Sequence, residues 1–144
     1  MSITVQIKIT EDRIAIPDLE AFLREAEGGA VNLFVGTTRR VTEDRITVEL
    51  SYECARELAL AELDRIVSEA KVKWPILRVV VVHRVGTVGA GEASVVIGVA
   101  TAHRVESFEA CRFLIDELKK RVPIWKKEVY EDGDTEWVTG NSPS

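Results

Sequence analysis

The sequence has few of the residues that mark several common protein classes. Its 144 residues include only two cysteines, Cys54 and Cys111, which cannot build a disulfide-rich scaffold or a Cys-x-x-Cys metal site. We expect both to be buried thiols in a reducing compartment. The sequence also has no HExxH motif, no Ser/His/Asp order and no clustered Cys and His, so it supports neither a catalytic metal nor a hydrolase triad.

Long apolar segments and an excess of positive charge are absent as well. No stretch approaches the ~20 apolar residues of a membrane span. The segment from Met1 to Ile9 alternates apolar and polar residues instead of forming the apolar core of a signal peptide, so we expect a soluble, cytoplasmic protein. A formal net charge of −5 argues against general nucleic-acid binding, because the phosphate backbone favours basic partners.

The composition, with 46% hydrophobic and 30% charged residues, is typical of one globular domain. A chain of this length buries roughly 70% of the surface that its unfolded form exposes, which is enough for a core without disulfides or structural metal. We expect a single domain over residues 1–144. The tail over residues 139–144 is small and polar, and we expect it to fray.

Period-two alternation and runs rich in Val and Ile predict the strands. These lie at Ile3–Ile9, Ala30–Gly36, Ile46–Tyr52, Leu77–Val85, Ala93–Ala102 and Ile124–Tyr130. The fourth and fifth strands are expected to pair antiparallel across a turn marked by Gly86, Gly89 and Gly91. The segment from Thr37 to Arg45 is polar and without periodicity, and it predicts a mobile loop.

Apolar residues at three- and four-residue spacing predict three helices. The first runs from Pro17 to Gly28, the second from Cys54 to Val72, and the third passes through Phe108 and ends near Val122, before Pro123. The mixed order of elements predicts an α+β fold with about three helices on a mixed or antiparallel sheet. A doubly wound parallel sheet is disfavoured, because two strand pairs have non-helical connections.

The most informative segment is Leu118 to Glu128, which gathers five cations in an acidic chain. They are Lys119, Lys120, Arg121, Lys126 and Lys127. One interpretation is a solvated helix end, where cations complement the helix dipole. At about 100° per residue, however, Lys119 lies at the border of the apolar stripe and Lys120 lies opposite to it. Partial burial would lower the pKa of Lys119 and suit it to acid, base or nucleophilic chemistry.

Alternation along the strand after Pro123 places Lys126 and Lys127 on opposite faces. One of these two lysines can therefore return toward Lys119 and place two cations around one anionic group. The sequence alone leaves open which lysine does so.

Two further basic elements can hold an anion. His103 and Arg104 stand at the start of the third helix, where free N–H groups and the helix dipole favour a phosphate, although a local capping role is also possible. Arg39 and Arg40 lie in a predicted loop that can close over a phosphate, or they are ordinary loop charges. His83 lies in a Val-rich strand, and we interpret it as structural.

Motifs in matching order over most of the chain resemble one known family, the large (catalytic) subunit of molybdopterin synthase. The motifs are Phe34–Arg39, Leu50–Glu53, Lys73–Pro75, Val82–Gly86, Ala102–Arg104, Phe108–Ala110, Leu118–Lys119 and Pro123–Glu128. This resemblance implies a fold of the α/β-hammerhead type within the α+β class. It also implies an enzyme of molybdenum cofactor biosynthesis.

The implied reaction converts cyclic pyranopterin monophosphate (precursor Z) to molybdopterin by transfer of two sulfurs. In the family the donor is a small ubiquitin-like subunit with a C-terminal Gly-Gly thiocarboxylate, whose tail enters a pocket of the large subunit. The large subunit forms a homodimer at the centre of a heterotetramer. Neither the residues nor the resemblance indicates a bound cofactor or metal.

The resemblance also implies roles for individual residues. Lys119 and Lys126 match the catalytic lysines of the family, and Arg39, His103 and Arg104 match residues that hold the pterin phosphate. Thr37, Thr38, Lys127 and Glu128 match residues that line the same site. Which protomer of the dimer supplies His103 and Arg104 is left open.

Two other functions are compatible with the residues themselves. A non-catalytic module that binds an anion or a nucleotide would use the same cations, and its lysines would have no sulfur transfer to support. A purely structural partner of a ubiquitin-like protein would bind the tail without turning over any pterin.

Overall fold

Three helices and nine strands make up the part of the chain that the computed structural model describes, residues 4–42 and 44–138. In chain order the elements are β1 (Val5–Thr10), α1 (Ile16–Arg24), β2 (Ala30–Thr37), β3 (Val41–Thr42), β4 (Arg45–Cys54), α2 (Arg56–Lys73), β5 (Ile76–Arg84), β6 (Gly86–Gly89), β7 (Ala93–Thr101), α3 (Arg104–Arg121), β8 (Ile124–Tyr130) and β9 (Thr135–Val138).

The first sheet has the strand order β1-β5-β7-β2 and carries helices on both faces. β1 pairs parallel to β5, whereas the pairs β5 with β7 and β7 with β2 are antiparallel. The two central strands read as continuous runs of Val and Ile because both of their faces are covered. Val80 and Val82 of β5 pack with α1, and the alternate residues Val79 and Val81 pack with α2 and α3.

Helices α2 and α3 cover one face of this sheet and pack against each other. Their apolar residues recur at three and four positions, so Leu63 and Ile66 of α2 and Leu114 and Leu118 of α3 all lie in the core. Burying a side chain of this size contributes roughly 1.5–3 kcal/mol. None of the described helices is long and apolar enough to cross a membrane.

The second sheet is built around β4 and has the strand order β3-β4-β8-β9, with β6 also paired to β4. Every pair in it is antiparallel. The register between β4 and β8 places Tyr52 opposite Lys126 and Leu50 opposite Glu128. This pairing sets which residues of β8 face the first sheet.

The structure confirms the predicted α+β class, the three helices and the antiparallel pairing of the strands around Val81 and Ile97. It also confirms where the second and third helices end. The backbone of Trp74 is extended at the end of α2. The backbone of Val122, the residue before Pro123, is extended at the end of α3.

Two local predictions were wrong in part. Gly86 and Gly89, predicted as turn residues, are the first and last residues of β6, whose backbone pairs with β4. The turn is confined to the residues around Gly91. The predicted loop from Thr37 to Arg45 contains the short strand β3, which pairs with the start of β4. Both strands are held by long-range or hairpin pairing to β4, which local composition does not reveal.

Some predictions fall outside the described residues. The predicted first strand started at Ile3, which lies outside them, and its described part begins at Val5. The tail over residues 139–144, predicted to fray, also lies outside. The interpretation of residues 1–144 as a single domain stays a prediction.

The two cysteines are free thiols. Cys111 is buried, as expected, and Cys54 is half-buried. Burial raises the pKa of both thiols, that of Cys111 to about 11, so at neutral pH neither is a ready nucleophile.

Arg121 joins the end of α3 to α2 through ion pairs. Its guanidinium donates to Glu62 at 2.7 Å and to Glu69 at 2.7 and 2.9 Å, and it lies 3.3 Å from Glu117 in its own helix. Hydrogen bonds from Arg121 hold the pKa of Glu62 and Glu69 below the ordinary carboxyl value. One of the five cations in the basic segment therefore stabilises the fold.

We expect Arg121→Ala to lower the melting temperature more than Lys120→Ala, since Lys120 is exposed and its ion pair with Glu117 is long, at 3.5 Å. The lowered carboxyl pKa values mean that this stabilisation is present at neutral pH and is lost as the pH falls through the pKa values of the folded state. Thermal unfolding followed by circular dichroism at neutral and acid pH measures both effects. Equal melting temperatures of the two variants at neutral pH would contradict the assignment.

Candidate active site: a cationic cleft between the two sheets

A cleft lies where the ends of β2 and β7 in the first sheet face β4 and β8 in the second, beside the last turn of α3. We call it the cationic cleft. Its lining residues are Phe34, Gly36, Thr37, Thr38, Arg39, Leu50, Tyr52, Ser94, Val95, Lys119, Lys126 and Glu128. Six of the nine residues predicted to form the site thus line one cleft: Thr37, Thr38, Arg39, Lys119, Lys126 and Glu128.

Lys119 enters the cationic cleft from the last turn of α3. It is half-buried, whereas the next residue, Lys120, is exposed, as the position of the apolar stripe predicted. Burial lowers the pKa of Lys119, and the positive charges of Lys126 and Arg39 lower it further. The structure therefore supports the expectation of a partly desolvated lysine at this position.

Lys126 reaches the same cleft from β8, three residues after Pro123. The alternation of β8 turns Lys126 inward and Lys127 to the opposite face, where the Lys127 Nζ lies 5.8 Å from the centroid of the Trp137 ring. Burial lowers the pKa of Lys126, the negative charge of Glu128 opposes that shift, and Arg39 adds to it. Of the two strand lysines left open by the sequence, Lys126 is the one that joins Lys119.

The segment after β2 forms another wall of the cleft and is fixed by hydrogen bonds. The Thr38 hydroxyl donates to the Gly89 carbonyl oxygen at 2.6 Å, and the Thr38 N–H donates to the Glu92 carbonyl oxygen at 3.0 Å. The N–H of Gly91 donates back to the carbonyl oxygen of Thr38 at 2.9 Å. The wall that carries Thr37 and Arg39 is therefore attached to the turn between β6 and β7.

The close approach of β2 to β7 depends on Gly36. A Cβ atom at this position would lie 2.6 Å from Cγ1 of Val95, closer than packed side chains come. The Ser94 hydroxyl donates to the Gly36 carbonyl oxygen at 3.2 Å, which ties the same two strands together beside the cleft.

Glu128 is a buried carboxylate at the base of the cleft. The Tyr130 hydroxyl lies 2.7 Å from Glu128 Oε2 and 3.0 Å from Glu136 Oε2, and these acidic neighbours raise the pKa of the Tyr130 hydroxyl. Glu128 is held by the hydroxyl of Tyr130 on its own strand, and its negative charge partly compensates that of Lys126. The lining includes three cations, Arg39, Lys119 and Lys126, and one carboxylate.

His103 and Arg104 lie away from the cationic cleft of their own chain. They stand at the start of α3, whereas Lys119 is in its last turn, and fifteen residues of helix correspond to about 22 Å. Both side chains are exposed. Lys127 is likewise not among the lining residues. Their predicted roles in binding the substrate are not tested by this geometry and stay predictions.

Sequence reasoning missed two aromatic residues of the site. Tyr52 lines the cleft opposite Lys126, and His83, interpreted as structural, is buried beside Tyr52 and Lys119 in a small adjoining cavity. The alternation of β5 could have indicated where His83 lies. It is two residues after Val81 and therefore shares the face of β5 that α2 and α3 cover. The pairing of β4 with β8, which brings Tyr52 into the site, has no local signal.

Within residues 4–42 and 44–138 no group of three or more His, Cys, Asp or Glu side chains is arranged to hold a metal ion. What the cleft offers to a ligand is positive charge from partly desolvated amines, since the hydroxyls of Thr38 and Ser94 already donate to the carbonyl oxygens of Gly89 and Gly36. Such a site suits an anionic group, because two opposite unit charges about 4 Å apart attract by roughly 4 kcal/mol near a protein surface.

The fold and the cleft together define an α+β protein with two partly buried lysines in one cleft. Comparison with known proteins identifies the family to which this fold and cleft belong. The chain belongs to the MoaE protein family, whose model matches residues 9–121.

Named relatives agree with this assignment. The chain is similar to the molybdopterin synthase catalytic subunit of Bos taurus, with 42% identity over 131 residues that cover 91% of this chain and 69% of that protein. It is also 42% identical to the subunit of the same name from Thermoplasma volcanium over 135 residues, covering 94% of this chain and 98% of that protein. The resemblance drawn from the sequence motifs is confirmed.

A solved structure shares the fold. The molybdopterin synthase structure from Staphylococcus aureus superposes with a TM-score of 0.84 at 33% identity and covers 90% of this chain and 94% of that one. The α+β arrangement of three helices and two sheets is therefore an arrangement of this family.

Lys119 and Lys126 should titrate below the ordinary lysine pKa of 10.5 because both are partly desolvated and share the cleft with Arg39. Competitive acetylation with acetic anhydride as a function of pH, followed by mass spectrometry of the labelled peptides, measures each pKa. Saturating phosphate should raise both values, since an anion stabilises the ammonium forms. A measured pKa at or above that of an ordinary lysine side chain, for both residues, would contradict the geometry.

Proposed function

We propose that the chain is the catalytic subunit of a molybdopterin synthase and acts as a sulfurtransferase on cyclic pyranopterin monophosphate, precursor Z. The observation that carries this proposal is the pair of partly buried lysines, Lys119 and Lys126, held beside Arg39 in one cleft of a chain whose net charge is −5. The names of the relatives from Bos taurus and Thermoplasma volcanium support the activity.

The sulfur donor in this proposal is the C-terminal thiocarboxylate of a small ubiquitin-like subunit. A thiocarboxylate and a cyclic phosphate are both anions, and the cationic cleft offers partly desolvated positive charge to each of them. A flexible Gly-Gly tail can enter a cleft that a folded domain cannot. Each transfer replaces a carbon–oxygen bond of the pterin side chain with a carbon–sulfur bond, and water then cleaves the acyl–sulfur bond, so that the small subunit leaves with an ordinary C-terminal carboxylate. The two sulfurs become the dithiolene of molybdopterin.

Lys119 and Lys126 divide the chemistry between them. Lys119 positions the thiocarboxylate and transfers a proton as its sulfur attacks the pterin side chain. Lys126 stabilises the negative charge that develops in the transition state. The lowered pKa of Lys119 suits the first role, because an amine that titrates nearer neutrality can both give and accept a proton.

Arg39 binds the phosphate of the pterin, and Thr37, Thr38 and Glu128 shape the site around it. Thr38 and Glu128 are buried and hydrogen-bonded within the fold, which supports a role in fixing the walls of the cleft.

His103 and Arg104 contribute to the cleft of a second copy of the chain. Within one chain they are about 22 Å from Lys119 along α3. A homodimer brings the start of α3 from one protomer to the cleft of the other, and each cleft then has a second set of phosphate ligands. Two small subunits bound to this dimer complete a heterotetramer.

The test is a single-turnover reaction of the chain with precursor Z and thiocarboxylated small subunit. Wild type should form molybdopterin, and Lys119→Ala and Lys126→Ala should each lower the rate by at least about 10²-fold, the typical loss when a group that transfers a proton or stabilises charge is removed. Lys120→Ala is the matched control, because Lys120 is an exposed lysine adjacent to Lys119, and its rate should change little.

A complex that forms without producing molybdopterin would contradict the proposal. Unchanged pterin binding in a folded Lys119→Ala variant, with no turnover in wild type, would favour the anion- or nucleotide-binding module. Tight binding of the small subunit with no pterin chemistry would favour a structural partner.

A further inference from the structure

His83 is a buried polar residue in a strand of valines. It is 5% exposed and lies two residues after Val81, on the face of β5 that packs against α2 and α3. A histidine at such a position needs hydrogen-bond partners, because burying an unpaired polar group is costly. The proposed chemistry of the cationic cleft has so far given it no role.

One nitrogen of His83 has a backbone partner that fixes its tautomer. Nδ1 lies 2.7 Å from the Arg84 carbonyl oxygen, which can only accept, so Nδ1 carries the hydrogen. In the neutral ring Nε2 is then unprotonated and can only accept. The ring orientation is set by Tyr52, whose ring meets that of His83 edge to face with centroids 5.3 Å apart.

His83 faces a small cavity that adjoins the cationic cleft. The two spaces share three lining residues, Tyr52, Lys119 and Lys126, and the rest of the small cavity is apolar except for His83. Its volume of about 20 Å³ is enough for one water molecule. His83 and the two lysines are polar residues of this lining, from which a buried water could take the two to four partners that it needs.

The charges around His83 favour its neutral form. Burial lowers its pKa to about 4, and the positive charge of Lys119 contributes to that shift. The groups that face His83 and Lys119 are Lys119 itself from α3, Lys126 and Glu128 from β8, Tyr52 from β4 and Arg39 from the segment after β2. Near neutral pH the ring is therefore a fixed acceptor beside an ammonium group.

We propose that His83 is a positioning residue for Lys119, whose ammonium group it orients through one water held between Nε2 and Nζ in the small cavity. The water accepts a hydrogen bond from Nζ and donates one to Nε2, and no proton is transferred. The contact favours the charged form of Lys119 and sets the direction in which Nζ points into the cleft. This inference rests on the proposed function only for the reaction that Lys119 serves.

Two substitutions separate this role from a purely structural one. His83→Asn places an amide N–H near the position of Nδ1 and keeps the contact with the Arg84 carbonyl, but it has no acceptor at the position of Nε2. His83→Gln can place an amide oxygen at the position of Nε2 and restores that acceptor. Both variants lose the ring contact with Tyr52, so each controls for the packing defect of the other.

The first readout is the pKa of the Lys119 amine, measured by NMR of its Cε and Nζ in the ligand-free protein. Removal of an acceptor from the ammonium form lowers that pKa. We expect His83→Asn to shift it down by about half a unit or more and His83→Gln to keep it near the wild-type value. Equal pKa values of Lys119 in wild type and His83→Asn would overturn the proposal.

The second readout is the single-turnover rate. We expect a loss of roughly tenfold in His83→Asn, recovery in His83→Gln, and little change in the concentration of precursor Z that gives half the maximal rate. Equal losses in both variants would overturn the positioning role. If wild type makes no molybdopterin while the pKa of Lys119 still responds as expected, the proposed function fails and the inference about His83 stands.

Wild type alone provides a further check should either variant fail to fold. Nitrogen-15 NMR of the His83 ring should show the tautomer protonated at Nδ1, with Nε2 unprotonated from neutral pH down to about pH 5.5, where a free histidine is largely charged. A ring protonated at Nε2 at neutral pH would overturn the proposal.

Discussion

The turn at Val122 and Pro123 is the constraint on which the site depends. It ends α3 in its apolar-packed position and sends the chain straight into β8, so that Lys119 and Lys126 lie only seven positions apart on two different elements. The apolar stripe of α3 fixes Lys119, and the register of β8 on β4 fixes Lys126. Neither lysine could shift without unpacking a core helix or changing the register of a sheet.

Holding two half-buried lysines beside an arginine costs stability, because like charges repel and each amine loses hydration. The surrounding structure offsets this cost. Glu128 places a negative charge at the base of the cleft, and Arg121, five residues before Lys126, is neutralised by three carboxylates instead of adding to the positive charge. Of the cations in the basic segment, Lys119 and Lys126 are thus the two that line the cleft. An anionic ligand relieves the remaining repulsion, which ties binding to the same groups that perform the proposed chemistry.

Much of this arrangement could be predicted from local sequence. Helical periodicity separated Lys119 from Lys120, and strand alternation separated Lys126 from Lys127, because both depend only on the geometry of one element. The pairing of Gly86–Gly89 with β4 could not be predicted, since it joins segments more than thirty residues apart. The same is true of the contact of Tyr52 with His83. His103 and Arg104 were associated with Lys119 by resemblance, and only the length of α3 revealed their separation within one chain.

We propose that the positive charges of the cationic cleft repel one another and that an anionic tail reduces this repulsion when it binds. Calorimetric titration of the small subunit, ending in an ordinary Gly-Gly carboxylate, tests it when repeated in buffers of different ionisation enthalpy. Binding should take up protons, increasingly from about pH 7 to about pH 9, because the anion raises the lowered pKa values of Lys119 and Lys126. Binding with no proton exchange or with proton release across that range would contradict the claim.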